Sequence, residues 1–172
     1  MKYPQDTYIY KGTKVINTWI KTDNLENYSP ITQVYGIIFN DKNEILVCRE
    51  SDNGSWIIPG GHPEDGESIE QTLMRELQEE VDVEIEGIKS LGAQKVTFPD
   101  DANSGKAIYQ VRCIAKLRKL NPQTPDPANG NIWERRFIPA SEIIHYVKWG
   151  KTGEAMFKDA AGLYSSGLKP II

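Results

Sequence analysis

The sequence predicts a layered α/β fold, with helices packed on a sheet. Three observations point there. Short β-rich runs, separated by Gly, Pro, Asn and Asp turn signals, fill the chain up to position 58 and return between 83 and 138. One amphipathic helix interrupts them after Ser68: Ile69, Leu73 and Leu77 recur every four residues, with Met74 and Val81 beside them. That helix leaves the end of a short strand through the Gly60-Gly61 turn, a usual place for a site in such a fold.

Taken in order, Thr7–Tyr10 and Val15–Lys21 flank Lys11-Gly12-Thr13-Lys14 and read as a hairpin. Whether it covers the domain or serves a homodimer is left open. The polar stretch 22–30 is a loop. Ile31–Asn40 and Glu44–Arg49, joined by an Asp41-Lys42-Asn43 turn, form a central hairpin. Trp56-Ile57-Ile58 is a short buried strand. Ser68, with Gln71 three residues on, is a capping-box signal for the helix start. The run 83–98 reads as one or two strands, interrupted near Gly87 and Gly92, and 99–105 as a loop. Ala107–Leu117 is a long strand with Val111, Cys113, Ala115 and Leu117 on one face. Three prolines keep NPQTPDPANGN, 121–131, out of helix and central strand, and a loop of that length is often functional. Trp133–Ile138 is a strand, Ser141 caps a helix running to Trp149, and Glu154–Tyr164 is a second helix.

Composition sets the outer bounds. The 172 residues suit a single domain, 1–172, with a hairpin extension (1–30), a core (31–149) and a C-terminal helix and tail (150–172). Apolar and charged fractions of 39% and 26% are those of an ordinary globular protein. The net charge of −4 argues against a large nucleic-acid footprint. No apolar run approaches the ~20 residues of a membrane span, and MKYPQDTYIYKG has no signal-peptide core. Cys48 and Cys113 are too few for a disulfide framework and read as reduced, buried thiols of a cytoplasmic protein.

The chemistry is carried by the helix. With Glu76 as zero, Ile69, Leu73, Leu77 and Val81 lie at roughly 20°, 60°, 100° and 140°. Glu80 falls at roughly 40°, inside that stripe, and Glu79 at roughly −60°. A solvated acidic face would lie opposite the core. At ~6 Å and an effective dielectric of 20, each like-charge pair costs roughly 3 kcal/mol. A hard divalent cation would offset that repulsion and bring phosphates with it. The competing reading is a charged face with an Arg75–Glu79 pair worth a few tenths of a kcal/mol.

Gly61, Glu67, the run Arg75-Glu76-Leu77-Gln78-Glu79-Glu80 and Val81-Asp82-Val83 together resemble the Nudix box of the Nudix hydrolases, and Trp56-Ile57-Ile58-Pro59-Gly60 resembles the family's lead-in. Asp82 stands where the family has Gly. A Gly there would cap the helix in the left-handed region, which Asp tolerates less well.

The resemblance implies a Nudix-type α/β/α sandwich with a mixed β-sheet. It also implies metal-dependent hydrolysis of the diphosphate linkage in a small-molecule nucleoside diphosphate derivative, a nucleotide sugar, ADP-ribose-like compound or nucleoside triphosphate. A noncatalytic nucleotide-binding regulatory module is the alternative. Carried over by position, Glu76, Glu79 and Glu80 are the ligands of Mg2+ or Mn2+, Gly60 or Gly61 adds a carbonyl, and Glu67 is an outer contact. Arg75 orients a glutamate, Glu79 first. Glu79 is also the first choice of general base, with Glu134 second and Glu142 and Asp100 below them. His62, beside the Gly-Gly turn, is placed to touch a phosphate or a water. Trp133, Phe98, Tyr109 and Tyr35 are candidates to stack on a base. Pro99 resembles a feature of the family's ADP-ribose hydrolases, but the rest of that pattern is missing and a strand terminator explains it. Neither a membrane nor a specific nucleic acid is expected as a partner.

Overall fold

Lys11 and Gly12 both take positive φ, +48° and +82°. That is the two-residue hairpin geometry whose twist matches its strands, so β1 (Gln5–Tyr10) and β2 (Thr13–Lys21) meet across a tighter turn than the four residues expected. The computed structural model describes residues 3–100 and 106–167; part of the 99–105 loop and the C-terminal tail lie outside them. The hairpin does not stand apart. β2 pairs with β6 (Val83–Thr97), extending one eight-stranded sheet ordered β1-β2-β6-β7-β3-β4-β8. Here β3 is Ile31–Phe39, β4 Glu44–Arg49, β7 Ala107–Leu120 and β8 Glu134–Pro139. The two-residue β5 (Gly60–Gly61) pairs with β3 off that path. The β3–β7 pairing is parallel and the others antiparallel, so the sheet is mixed.

Alternation along the strands gives two apolar faces. On one, α1 (Ile69–Val81) lays Leu73, Leu77 and Val81 over Val34, Ile38, Leu46, Val111 and Cys113. On the other, the short α2 (Ile143–Tyr146) and α3 (Gly150–Ser165) cover Ile37, Phe39, Ile45 and Ile114 with Ile143, Met156, Phe157, Ala160 and Leu163. The result is the three-layered α/β/α arrangement expected. Cys48 and Cys113 are buried free thiols within it.

Several element boundaries differ from expectation. β6 is one strand of 15 residues. Its register slips between Glu86 and Lys89 and between Ser90 and Gly92, so Gly87 and Gly92 mark bulges rather than breaks. Trp56–Ile58 forms no strand beyond a Cys48–Ile57 bridge. Trp133 precedes β8 rather than opening it. Met74 is 50% exposed, on the far edge of the helical stripe. Ser141 caps nothing. The segment stops after one turn because Val147 is extended, and α3 starts anew at Gly150, earlier than expected. No side chain of α3's own N-cap residue, Trp149, bonds its free N–H groups. Asp6 of β1 does so instead, accepting from Lys151 N at 3.0 Å and Thr152 N at 2.7 Å. Trp19 of β2 donates to Asp159 at 2.8 Å. The hairpin thereby fastens α3 to the sheet.

Candidate active site

α1 begins as its sequence dictates. Ser68 Oγ accepts from Gln71 N at 3.2 Å and Gln71 Oε1 accepts from Ser68 N at 2.8 Å. Once that turn is set, the helical repeat fixes where each acid points. Glu80 falls among the core residues, 9% exposed, and its carboxylate accepts from Gly60 N at 2.9 Å. Burial pushes its pKa up to about 8, against the Gly60 bond, with Glu76, Asp126 and Glu79 adding like-charge repulsion. Burial also raises Glu76, against the pull of Arg75.

Arg75 gathers the remaining acids. Its Nε and Nη2 donate to the two oxygens of Glu67 at 2.8 and 3.0 Å, and its Nη1 reaches Glu76 at 3.0 Å and Glu79 at 3.1 Å. Nη2 also donates to the His62 carbonyl at 2.8 Å. The sequence pointed to Glu79 as the main partner; the bidentate fork goes to Glu67, the stronger geometry for a guanidinium. Glu67 accepts further from Glu64 N and from Thr72 Oγ1, both at 2.9 Å. The Arg75 hydrogen bonds hold its carboxyl at about 2. Its visible work is to anchor Arg75 and the loop before the helix.

The Gly-Gly turn passes directly against these acids. Gly60 has φ +142°, and a Cβ there would run into the Val34 carbonyl. A Cβ on Gly61 would strike the Glu76 carboxylate. Gly61, His62, Arg75, Glu76, Glu79 and Glu80 line a cleft of about 690 Å³. Gly60 and Tyr35 share that wall, and Trp133 and Asp126 face it from the later loop.

Sequence reasoning missed Asp126, although the length of the proline-rich loop that carries it is one often associated with function. It is 6% exposed and accepts from Ala128 N at 2.8 Å and Trp133 Nε1 at 3.0 Å. Asp82 holds that loop in place. It takes the left-handed conformation a Gly would take, φ +47°. Its carboxylate accepts from Thr124 N at 2.7 Å and Gln78 Nε2 at 3.1 Å, and its carbonyl accepts from Asn121 N at 3.0 Å. The departure from Gly therefore supplies a tether that Gly lacks. Arg135 closes the same helix end, donating to the carbonyls of Val81 and, at 2.7 Å, Asn121.

Glu134 is not brought to the cleft. Its oxygens accept from Arg49 Nε at 2.7 Å and Arg136 Nη2 at 3.0 Å, and these ion pairs pull its carboxyl below the usual range. Of the aromatic candidates, Tyr35 and Trp133 line the cleft, Tyr109 packs edge-on against Tyr28, and Phe98 sits by Tyr10 and Lys11.

Among the described residues no three His, Cys, Asp or Glu side chains stand ready as a metal cage. The reason is local: Arg75 holds Glu76 and Glu79, and Gly60 N holds Glu80. The donor set still fits a hard cation. It is all carboxylate oxygen, close to peptide carbonyls, and it includes a buried acid whose ionised form lacks compensation.

A NUDIX domain family model matches residues 30–159. The chain is 35% identical over 128 residues to an RNA pyrophosphohydrolase of Ruthia magnifica, covering 65% of this chain and 72% of that one. It is 26% identical over 137 residues to Nudix hydrolase 5 of Arabidopsis thaliana, covering 73% of this chain and 42% of that one. The match spans less than two thirds of the length of the first curated relatives, 42%, 62% and 20%. A crystal structure of a Bacillus subtilis pyrophosphohydrolase superposes with a TM-score of 0.60 at 20% identity, over 88% of this chain and 92% of that one, a likeness of fold.

Proposed function

Because the chain belongs to the NUDIX family, we propose that it hydrolyses the diphosphate linkage of a small-molecule nucleoside diphosphate derivative, using Mg2+ or Mn2+. The observation that carries this is Glu80: a carboxyl buried to the point of a pKa near 8, with Glu76, Glu79 and Asp126 around it in one cleft. Such a cluster is costly without a cation and gains from one.

Glu76, Glu79 and Glu80 would hold the metal, with a carbonyl of Gly60 or Gly61. Glu67 keeps a place in the outer shell through Arg75. The bound cation would neutralise diphosphate charge and lower the pKa of an attached water. Arg75 positions Glu76 and Glu79 and, through the His62 carbonyl, the Gly-Gly loop. His62 lines the cleft beside the space where phosphate oxygens would lie. Trp133 offers a flat apolar wall. Glu79, 30% exposed at its side chain and facing the cleft, is the general base that accepts a proton from the attacking water. Asp126, rather than Glu134, is the later-loop acid in reach as its partner.

The test is a chromatographic screen for the phosphorylated products released from nucleotide sugars, ADP-ribose, dinucleoside polyphosphates and nucleoside triphosphates, with magnesium and with manganese. Metal-dependent turnover of at least one class is expected. Silence across all classes, with both metals, would refute the proposal.

A further inference from the structure

A second cleft, about 1050 Å³, adjoins the acidic one and shares Gln33, Tyr35 and Ile57 with it. It lies on the sheet face that α3 covers only in part. Beneath the helix that face is apolar: Ile37, Phe39, Leu91, Ile114. Beyond the helix start the same strands turn polar, with Gln33, Gln94, Gln110 and Arg112 as the floor. The rim is Trp149 and the N-terminal hairpin.

Arg112 is 2% exposed and has no carboxylate partner among the described residues. Its Nη1 donates to the Val111 carbonyl at 3.3 Å and its Nη2 to Gln110 at 3.0 Å, while its Nε has no partner among the described residues. Tyr35 and Trp149 lie against the guanidinium at 4.5 and 5.2 Å from ring centroids. Burial lowers its pKa to about 10, so it stays cationic at neutral pH. Two other charged groups line the cleft, Asp6 and Lys148, and the Asp6 carboxylate is occupied by the start of α3. A buried guanidinium with neutral partners is costly for folding alone. Its place in the sheet is telling. Tyr35 is paired with Gly60 on one side and Arg112 on the other, which sets Arg112 about 10 Å, two strand spacings, from the Gly-Gly turn. That is the reach of a group attached to a bound diphosphate.

Resting on the function proposed above, we infer that this cleft is a subsite for the distal part of the substrate, and that Arg112 selects derivatives carrying an oxyanion there, a carboxylate or a phosphate. The test compares kcat/KM for UDP-glucose against UDP-glucuronate and for NADH against NADPH, pairs that differ by one carboxylate or one phosphate. Binding of the same pairs to the Glu79→Gln variant is measured in parallel. Wild type is expected to favour the member with the extra carboxylate or phosphate in at least one pair by about tenfold or more, the scale of one charge-assisted hydrogen bond. Arg112→Met should lose that preference through a fall in kcat/KM and in affinity for the member with the extra oxyanion, and Arg112→Lys should keep part of it. Metal-free Arg112→Met should melt no lower than wild type, because a costly buried charge is gone. No preference in either pair, by turnover or by binding, overturns the inference, and so does a preference that survives in Arg112→Met. Should the wild type hydrolyse nothing, the function proposed above fails, while the binding comparison still decides this subsite.

Discussion

Replacing Glu80 with Gln separates a metal-binding acid from a merely structural one. The folded protein holds this carboxyl at about 8 against 4.5 for the free group. Between those values the unfolded chain is ionised and the folded one keeps its proton. The folded state therefore binds more protons, and stability falls as pH rises through that window. At pH 7 the cost is about 3 kcal/mol, and at pH 5 below about 1 kcal/mol. A Gln side chain keeps the acceptor for Gly60 N but brings an amide N–H₂ that needs partners, which offsets about 1 kcal/mol. Net stabilisation of the metal-free protein at pH 7 is thus about 2 kcal/mol, or roughly 4–8 °C for a chain of this size. The assay is thermal melting of wild type and Glu80→Gln in chelator at the two pH values, repeated with magnesium. We expect the variant to melt higher at pH 7, to lose most of that advantage at pH 5, and to gain less than wild type from magnesium. A variant that melts lower at pH 7 in chelator, or whose advantage is independent of pH, would falsify the account of Glu80.

Glu79→Gln should lower turnover at least a hundredfold, about 2.7 kcal/mol of transition-state stabilisation, with melting close to wild type; wild-type-like rates would remove it from the mechanism. Excess chelator should abolish hydrolysis and added magnesium or manganese should restore it, so turnover that persists in chelator counts against metal dependence. Asp82→Ala should cost about 2–3 kcal/mol, from the lost bonds to Thr124 and the left-handed backbone strain. It should also speed amide hydrogen exchange in the 121–131 loop; unchanged exchange there would show that Asp82 does not tether it.

The acidic helix was legible because its geometry is local. Ser68, the four-residue apolar repeat and 100° per residue suffice to place Glu80 in the buried stripe and Glu76 at its edge. Met74 was misplaced because the stripe's width depends on what packs against it, and Met74, at 50% exposed, falls outside the packed part. Strand existence was legible from turn signals, whereas the choice between one strand and two over 83–98 was not, since glycines that bulge and glycines that break look alike in sequence. Asp82 read as a defect because its partner, Thr124, lies forty-two positions away.

The chain's own order of residues settled the family's motif, the helix, the capping box and the cluster of acids, all matters of spacing within about twenty positions. Folding in three dimensions decided the rest: that Arg75 grips Glu67 first, that Asp126 and not Glu134 reaches the acids, and that Arg112 lies two strands from the Gly-Gly turn. Those relations rest on strand register and loop tethers. Side-chain spacing along one helix is set by the backbone repeat, whereas proximity across a sheet is set by which strands pair, and no local pattern encodes that choice.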